Sequence, residues 1–378
     1  MRKIILFLGF FLTTQWIFSE QVYIVGGNAA NNAFLQITDL NGNLTGNEII
    51  LSANAMSKAI ALTSVKAYIL GVDGSNTFLQ ITDLQGNPLS APIILSPHVA
   101  GPAFTAQRLG IALSPTNAYI VSTNLQNTAI FQITDLNGNL IGNPVPISTI
   151  GGSFGCNIAI LSNKAYCIGS SNTAFLQITD LNGNLLGSPI SLSQSAGSAV
   201  GIALSSTKVY ITGNDGAGNA FLQITDLNGN LLGSPITISP KVNANSAIAY
   251  NIALSSTKAY IVGQNASGNA FLQITDLNGN LLGSPITISP KVNSNSAIAY
   301  NIALSSTKAY IIGQDAQNNA FLQITDLNGN LLGGPTITSP ATSITQGIAI
   351  YPPNWLSPSQ TIFKSYNQYN NLIPLKGY

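Results

Sequence analysis

The chain is predicted to be an all-β protein, a seven-bladed β-propeller built from four-stranded antiparallel blades. A repeated phrase, four strand-like runs in each repeat, and complementary cuts at the two ends of the array predict this fold. The phrase Ile-Thr-Asp-Leu-(Asn/Gln)-Gly-Asn occurs seven times at spacings of 44 to 52 residues, which suits one supersecondary unit per repeat. Its aspartates are Asp39, Asp83, Asp135, Asp180, Asp226, Asp276 and Asp326.

Four apolar runs with turn residues between them make up each repeat. In the copy that spans residues 251–289, we assign strand A to residues 252–255, B to 259–263, C to 271–275 and D to 281–289. Short runs rich in β-branched and aromatic residues predict strands rather than helices. The Asn-Gly pair between C and D predicts a type I′ hairpin, since such a turn needs positive φ angles.

The ends of the array predict that the propeller closes into a ring. Strands B, C and D each occur seven times, but strand A is missing from the first repeat. An additional strand A, residues 347–351, follows the last repeat. The first blade would therefore combine an N-terminal B, C and D with a C-terminal A. Such closure leaves no open edge at either end of the array.

The strand sequences Ile-Ala-Leu-Ser (252–255), Lys-Ala-Tyr-Ile-Val (258–262) and Phe-Leu-Gln-Ile-Thr-Asp (271–276) resemble the YVTN-type β-propeller repeat of exported and surface-layer proteins. The resemblance covers residues 22–352. It implies an extracytoplasmic propeller and implies no reaction, because one fold hosts many functions. The chain departs from the family at the A–B turn, where Ser-Ser-Thr replaces the usual Pro-Asp-Gly.

Two segments flank the predicted propeller at residues 22–352. Residues 1–19 read as a signal peptide, with Arg2 and Lys3 before an apolar core that is too short to span a membrane. The protein is therefore expected to be exported and to be periplasmic, attached to the cell surface or secreted. Residues 353–378 form an aromatic-rich tail, which would either pack over the closure seam or serve as an attachment or secretion signal.

Composition narrows the function classes. Only 7% of the residues are charged and the net charge is +1, whereas nucleic-acid binding needs a basic stripe. The 45% of apolar residues fall in short strands, so no transmembrane span is expected. The sequence predicts no metal and no cofactor, and the protein is expected to be monomeric.

The repeated polar residues are interpreted as structural. The seven aspartates should accept backbone N–H groups in the turn after strand C, and lysines at the start of strand B should lie across from them. Asp226 could begin a calcium loop, but Thr237 stands where such a loop needs a glutamate. A glutamine occupies the middle of every strand C and should form hydrogen bonds between blades, with sugar binding as the alternative.

Cys156 and Cys167 are expected on strands A and B of the fourth blade, as diagonal neighbours on one face. An exported protein can form disulfides, whereas diagonal geometry disfavours one. A disulfide and two buried thiols are therefore both open.

The leading functional prediction is a non-enzymatic binding scaffold that uses the face formed by the B–C and D–A loops. Residues 218–261 and 268–311 differ at one position, 244/294, whereas a catalytic site needs residues with distinct roles. Sequence variation concentrates in the B–C and D–A loops, where binding sites are commonly found. The partner would be a protein or a polysaccharide. The candidate contacts are His98, Phe104, Arg108, Lys241, Tyr250, Lys291, Tyr300, Asp73, Asp215 and Asp315.

Two alternatives remain. The loops would also vary if nothing constrained them, in which case the protein is a structural surface-layer component. A propeller hydrolase or lactonase is the other class, and it would need acids, histidines or a metal in the central channel. The chain has one histidine and few acids outside the repeated turns, which favours a protein without enzymatic activity.

Overall fold

The computed structural model describes residues 20–74, 76–97, 108–124, 126–148, 152–193, 197–340 and 343–351. The described residues form seven sheets of four antiparallel strands. From strand A to strand D the blades are: blade 1, β28 (Ile344–Tyr351), β1 (Gln21–Gly27), β2 (Ala33–Asp39) and β3 (Ile49–Ser52); blade 2, β4 (Ala55–Leu62), β5 (Lys66–Asp73), β6 (Asn76–Asp83) and β7 (Ile93–Pro97); blade 3, β8 (Gly110–Leu113), β9 (Asn117–Thr123), β10 (Ala129–Asp135) and β11 (Leu140–Pro146); blade 4, β12 (Phe154–Leu161), β13 (Lys164–Ser170), β14 (Ala174–Asp180) and β15 (Ile190–Ser191); blade 5, β16 (Ser198–Leu204), β17 (Lys208–Asn214), β18 (Ala220–Asp226) and β19 (Ile236–Ser239); blade 6, β20 (Ile248–Leu254), β21 (Lys258–Gln264), β22 (Ala270–Asp276) and β23 (Ile286–Ser289); blade 7, β24 (Ile298–Leu304), β25 (Lys308–Gln314), β26 (Ala320–Asp326) and β27 (Thr336–Ser339).

The predicted propeller and its closure are confirmed. The C-terminal strand β28 pairs with β1, placing Tyr23 opposite Ala349. The strand A of each blade contacts the strand A of the next, and β24 and β28 complete the ring. A second closure contact joins blade 1 to blade 2, because the Tyr351 hydroxyl donates to the carbonyl of Ser64 at 2.9 Å.

The hydrophobic core lies between blades. One cluster combines Leu222 and Ile238 of blade 5 with Ile252, Ile261 and Phe271 of blade 6, all buried, and equivalent clusters join other blade pairs. Both faces of strands B and C are therefore covered, which explains their continuous apolar sequences. Burial of each such side chain contributes about 1.5–3 kcal/mol.

A tyrosine at the third residue of strand B connects six of the seven blade pairs. The Tyr260 hydroxyl donates to the carbonyl of Leu327 in the next blade at 2.9 Å. The same contact joins Tyr23–Leu84, Tyr68–Leu136, Tyr166–Leu227, Tyr210–Leu277 and Tyr310–Leu40. Tyr119 differs, because its hydroxyl lies 3.4 Å from the Ser114 hydroxyl of its own blade.

The lysines at the start of strand B bind the next blade. Lys258 lies opposite Asp276 in the strand register, as predicted. Its ammonium group, however, donates to the carbonyl of Leu327 at 3.3 Å and to the side chain of Asn328 at 3.0 Å. The ammonium therefore reaches the turn that also accepts the tyrosine hydroxyl, and this geometry recurs in four other blades.

The turn after strand C is not the type I′ hairpin that the sequence predicted. In the Asp39–Asn43 turn only Gly42 has a positive φ, +84°. The Asp39 carboxylate accepts the N–H groups of Asn41 and Asn43 at 2.8 and 2.9 Å and the Asn43 amide at 2.7 Å. A type I turn followed by glycine brings these donors to one side chain, and each of the seven aspartates shows this pattern.

The strand C glutamines bind within their own blade, which corrects the expected hydrogen bonds between blades. Strand D leaves the ladder between Leu231, opposite Thr225, and Ile236, opposite Leu222. The Gln223 amide donates to the Gly233 carbonyl at 3.1 Å inside this detour. The glutamine amide thus donates a hydrogen bond to a carbonyl that has no partner in the interrupted strand ladder. Gln132 is different, since it donates to the Leu95 carbonyl of blade 2 at 3.3 Å.

Candidate functional site

Eight of the ten predicted contact residues fall in three regions of the described structure. Arg108, Tyr250 and Tyr300 meet in the central channel. Lys241 and Lys291 are exposed on two D–A loops. Asp73 is the last residue of β5, and Asp215 and Asp315 lie in B–C loops. His98 and Phe104 lie outside the described residues.

A β-bulge in strand A supplies the side chains that line the channel. In β20 the register passes from Ala249 to Asn251, so Tyr250 is the additional residue. A bulge changes the direction of a side chain. The residues at this position, with Leu109 placed by the pairing of its neighbour Gly110, are Lys58, Leu109, Cys156, Val200, Tyr250, Tyr300 and Gln346.

Tyr250 and Tyr300 were predicted to belong to D–A loops, and that placement is wrong. β20 and β24 begin at Ile248 and Ile298, so both tyrosines lie within strands. They sit near the D–A end of the channel, because each is the third residue of a strand that begins on the D–A face. The bulge directs both rings to the axis of the propeller.

Arg108 crosses the channel from blade 3 to blade 6. Its guanidinium carbon lies 4.5 Å from the centroid of the Tyr250 ring. The Tyr250 and Tyr300 rings pack edge to face, with centroids 5.2 Å apart. The cation–π contact holds the guanidinium group against blade 6, and the aromatic contact joins blade 6 to blade 7.

Lys58 is the other cation of the channel, and only 4% of its surface is exposed. Burial, with a further contribution from the Arg108 charge, lowers the pKa of Lys58 to about 7. Burial raises the pKa of Cys156 to about 11, against a smaller opposing effect of Arg108. Burial also raises the pKa of Tyr300 well above its usual range.

A cavity of about 40 Å³ separates these side chains. Its ionisable lining residues are Lys58, Arg108, Cys156, Tyr250 and Tyr300, and the other lining residues are apolar or carry amides. No carboxylate is among the described residues that line it. The cavity is therefore electropositive whenever Lys58 is protonated.

An asparagine ladder supports the channel wall next to the bulges. The Asn251 amide donates to the Asn301 side chain at 2.5 Å, and the Asn301 amide donates to the Gln346 carbonyl at 2.9 Å. Glycine replaces asparagine at the equivalent Gly201, where a Cβ would lie 2.6 Å from the Cα of Asn251. The inner strands thus approach closely, and their polar groups pair from blade to blade.

Two neighbouring D–A loops have the same structure. In one, Val242 and Asn245 exchange backbone hydrogen bonds of 3.1 and 3.0 Å. The Asn219 side chain accepts the N–H of Lys241 at 2.8 Å and fixes the loop to the B–C turn. The second loop repeats this geometry at Val292, Asn295, Asn269 and Lys291. The exposed fractions of Val242 and Val292 are 48% and 38%.

The three B–C aspartates hold their own turns. Asp215 accepts the N–H of Asn219 at 2.7 Å and its side-chain amide at 2.9 Å. Asp315 accepts the N–H of Asn319 at 2.8 Å, and Asp73 accepts the N–H of Asn76 at 2.6 Å. Asp215 therefore orients the amide that fixes the Lys241 loop, and its predicted contact with a ligand stays a prediction.

Cys156 and Cys167 are free, buried thiols, so the disulfide that the sequence left open is not formed. Cys156 lies on the bulge and lines the channel, whereas Cys167 packs in a hydrophobic cluster with Ile158 and Phe175. Their side chains therefore occupy different environments. Burial raises the pKa of both thiols.

Within the described ranges, no three histidine, cysteine or acidic side chains come together as a metal site would require. These residues also form no helix of membrane-spanning length. Sequence reasoning missed Lys58 and Cys156 as channel residues. An alignment of the seven strands A would have shown that the bulge position holds a different kind of side chain in most blades.

No family model and no curated protein matches the chain. Among solved structures, it is similar to a puromycin hydrolase (13% identity, 86% of this chain, 53% of that chain, TM-score 0.54). It is also similar to a functionally unknown protein from Desulfotomaculum acetoxidans (16%, 85%, 100%, 0.53) and to the computationally designed protein Ika8 (15%, 84%, 85%, 0.47). The chain spans about half the length of the hydrolase. At these identities the first two show the fold alone, and the third carries no argument.

Proposed function

We propose that the protein is an exported, non-enzymatic propeller of the YVTN type that binds a protein or polysaccharide through its B–C and D–A loop face. Residues 1–19 act as the export signal in this proposal, and the mature protein is periplasmic, surface-attached or secreted. The tail at 353–378 follows the propeller domain.

The twin D–A loops carry the proposal. They present Lys241 with Val242 and Lys291 with Val292 in the same geometry on adjacent blades. A long cationic side chain next to an exposed apolar one offers both charge and contact area. Because backbone and amide hydrogen bonds fix each loop, a partner would meet two preorganised copies of one surface, which favours bivalent binding.

An affinity capture with purified protein and envelope or host-cell extracts tests this function. The test variant combines Lys241→Glu with Lys291→Glu on the loop face. The control combines Leu232→Ser with Leu282→Ser, which are 49% and 45% exposed in the same blades, beyond their C–D turns. A partner bound by the natural chain and the control, and lost by the test variant, would support the proposal. Equal capture by all three proteins, or no capture, would contradict it.

An exposed apolar rim favours a second candidate, a structural surface component that packs against its own copies. The residues after the C–D turn form exposed apolar pairs in five blades, with exposed fractions of 42–49%. These pairs are Leu140–Ile141, Leu185–Leu186, Leu231–Leu232, Leu281–Leu282 and Leu331–Leu332. Concentration-dependent sedimentation that Leu232→Ser with Leu282→Ser abolishes would support this role. A monomer at every concentration would exclude it.

The similarity to puromycin hydrolase does not favour catalysis, because it covers 53% of that chain at 13% identity and a shared fold does not transfer an activity. A hydrolase active site would need a nucleophile with a base at hydrogen-bond distance. The channel of this chain instead brings together two cations and two tyrosines.

A further inference from the structure

Six of the seven C–D turns contain the same five residues, Asp-Leu-Asn-Gly-Asn. An asparagine followed by glycine is the amide that deamidates most readily, because glycine has no side chain to shield its backbone nitrogen. The asparagine side chain before the glycine is exposed in all six turns. The six turns therefore share one sequence and one exposure, and their contacts with the neighbouring blade distinguish them. The asparagines are Asn41, Asn137, Asn182, Asn228, Asn278 and Asn328.

A lysine of the preceding blade binds five of these asparagines. The Lys258 ammonium donates to the Asn328 side-chain oxygen at 3.0 Å. The same ammonium and the Tyr260 hydroxyl donate to the Leu327 carbonyl, one residue earlier. The neighbouring blade thus fixes both the backbone and the side chain of the turn. The other four pairs are Lys308–Asn41 at 3.0 Å, Lys66–Asn137 at 3.5 Å, Lys164–Asn228 at 3.1 Å and Lys208–Asn278 at 3.0 Å.

The Asn182 turn lacks these contacts. Blade 3 carries Asn117 at the strand position that Lys258 occupies in blade 6, opposite the aspartate of the turn. The Tyr119 hydroxyl lies 3.4 Å from the Ser114 hydroxyl of its own blade. No described side chain of blade 3 donates a hydrogen bond to the Asn182 turn. This turn is therefore held by its own hydrogen bonds, without support from the blade before it.

We propose that Asn182 is a site of spontaneous deamidation, a modification in which water is the co-reactant. The Gly183 nitrogen loses its proton to solvent and forms a bond to the side-chain carbonyl carbon of Asn182. The carbon–nitrogen bond of the side-chain amide breaks, and its nitrogen takes up a proton and leaves as ammonia. Water then opens the cyclic imide at either carbonyl and leaves aspartate or isoaspartate. The sum replaces one amide by one carboxyl group, with no oxidant or reductant.

The imide can form only after the turn opens. The asparagine side chain must rotate onto the glycine nitrogen, and the Gly183 N–H must leave the Asp180 carbonyl, to which it donates at 3.2 Å. In the other five turns this rotation also breaks the lysine hydrogen bond. A hydrogen bond from a charged group is worth about one factor of ten in such an equilibrium, so Asn182 should react about tenfold faster than Asn328. Asn137 should be second, because its lysine contact of 3.5 Å is the longest of the five.

The blades supply reciprocal substitutions. Asn117→Lys gives blade 3 the residue that five other blades carry, and it should slow the reaction of Asn182 to that of the lysine-bound asparagines. Lys258→Asn gives blade 6 the residue of blade 3, and it should accelerate Asn328 alone by about tenfold. Asn182→Gln checks the assignment, because blade 2 carries Gln85 at this position and glutamine deamidates far more slowly.

The experiment incubates the full chain at pH 8, then unfolds it, digests it with trypsin and follows each turn by peptide mass spectrometry. Cleavage after lysine and arginine places the six asparagines on six separate peptides, in the natural chain and in both reciprocal variants. A second incubation in guanidinium gives the rate of each turn without the fold. These rates should be equal, because the six turn sequences are identical.

In the folded natural chain, Asn182 should react first, and the peptide that contains it should be unchanged in mass in Asn182→Gln. Equal rates at all six asparagines would overturn the proposal, and so would Asn117→Lys if it does not slow Asn182. Unfolding of a variant cannot imitate either expected result, because it would accelerate every turn rather than slow Asn182 or accelerate Asn328 alone. The measurement uses no partner, so its failure would leave the binding function of the loop face unaffected.

Discussion

Removal of one tyrosine hydroxyl between blades gives a sharp test of how this propeller is held together. In Tyr260→Phe the ring stays in the core, and the 2.9 Å hydrogen bond to the Leu327 carbonyl is lost. Lys258 still donates to that carbonyl at 3.3 Å, so the acceptor keeps a partner. The expected loss is therefore that of one ordinary hydrogen bond, about 0.5–1.5 kcal/mol in the free energy of unfolding.

Tyr119→Phe is the matched control. The Tyr119 hydroxyl lies 3.4 Å from the Ser114 hydroxyl of its own blade, which is a longer and weaker contact. Its removal should cost less than about 0.5 kcal/mol. Both proteins lose one oxygen atom from the same ring position, so the difference between them isolates the hydrogen bond between blades.

The double variant Tyr260→Phe with Lys258→Met tests whether both donors serve one carbonyl. Either single change leaves the Leu327 carbonyl with one of these two donors. The double change removes both and leaves a desolvated acceptor, so its cost should exceed the sum of the single costs by about 1 kcal/mol. Equilibrium urea unfolding, followed by far-UV circular dichroism, measures the natural protein and the four variants. Equal costs for Tyr260→Phe and Tyr119→Phe, or strict additivity in the double variant, would refute this account.

Three other predictions follow from the same structure. A chain that ends at Ser343 loses β28 with Ile348 and Tyr351 and should not show a cooperative melt, whereas a chain that ends at Tyr351 should melt cooperatively; similar melting of the two would show that closure is dispensable. Hydrogen bonds from Asn280 lower the pKa of Asp276. The ionised Asp276 carboxylate should therefore stabilise the fold above pH about 4, and this stabilisation should be lost as the pH falls through the lowered pKa. In an acid titration, the free energy of unfolding of Asp276→Asn should depend less on pH than that of the natural protein. Cys156 and Cys167 should resist a thiol reagent in the native protein at pH 8 and react in guanidinium, because both thiols are buried and their pKa values are raised; rapid reaction of the native protein would contradict their burial.

The repeat pattern was sufficient to predict the architecture because each blade is a local structure. Strand runs and turn residues can be recognised within a repeat of about 50 residues, and the displaced strand A can be recognised from the two ends of the array. The structure confirms the ring, with β28 in blade 1. The same reasoning failed for turn type and for the strand C glutamines. The turn type depends on the φ of Asn41. The hydrogen-bond partners of the glutamines depend on a detour of strand D, which the pattern of apolar residues does not predict.

The sequence by itself therefore determined the fold class, the number of blades and the way in which the ring closes. Only the tertiary structure decided which side chains meet in the channel. Lys58, Arg108 and Tyr250 lie on three different blades, and the ring brings them together across its axis. A one-residue bulge in strand A turns Lys58 and Tyr250 inward, whereas Arg108 lies one residue before the bulge position of its blade. Alternation along a strand has a period of two residues and gives no signal for such an insertion, so the channel could be found only from the assembled ring.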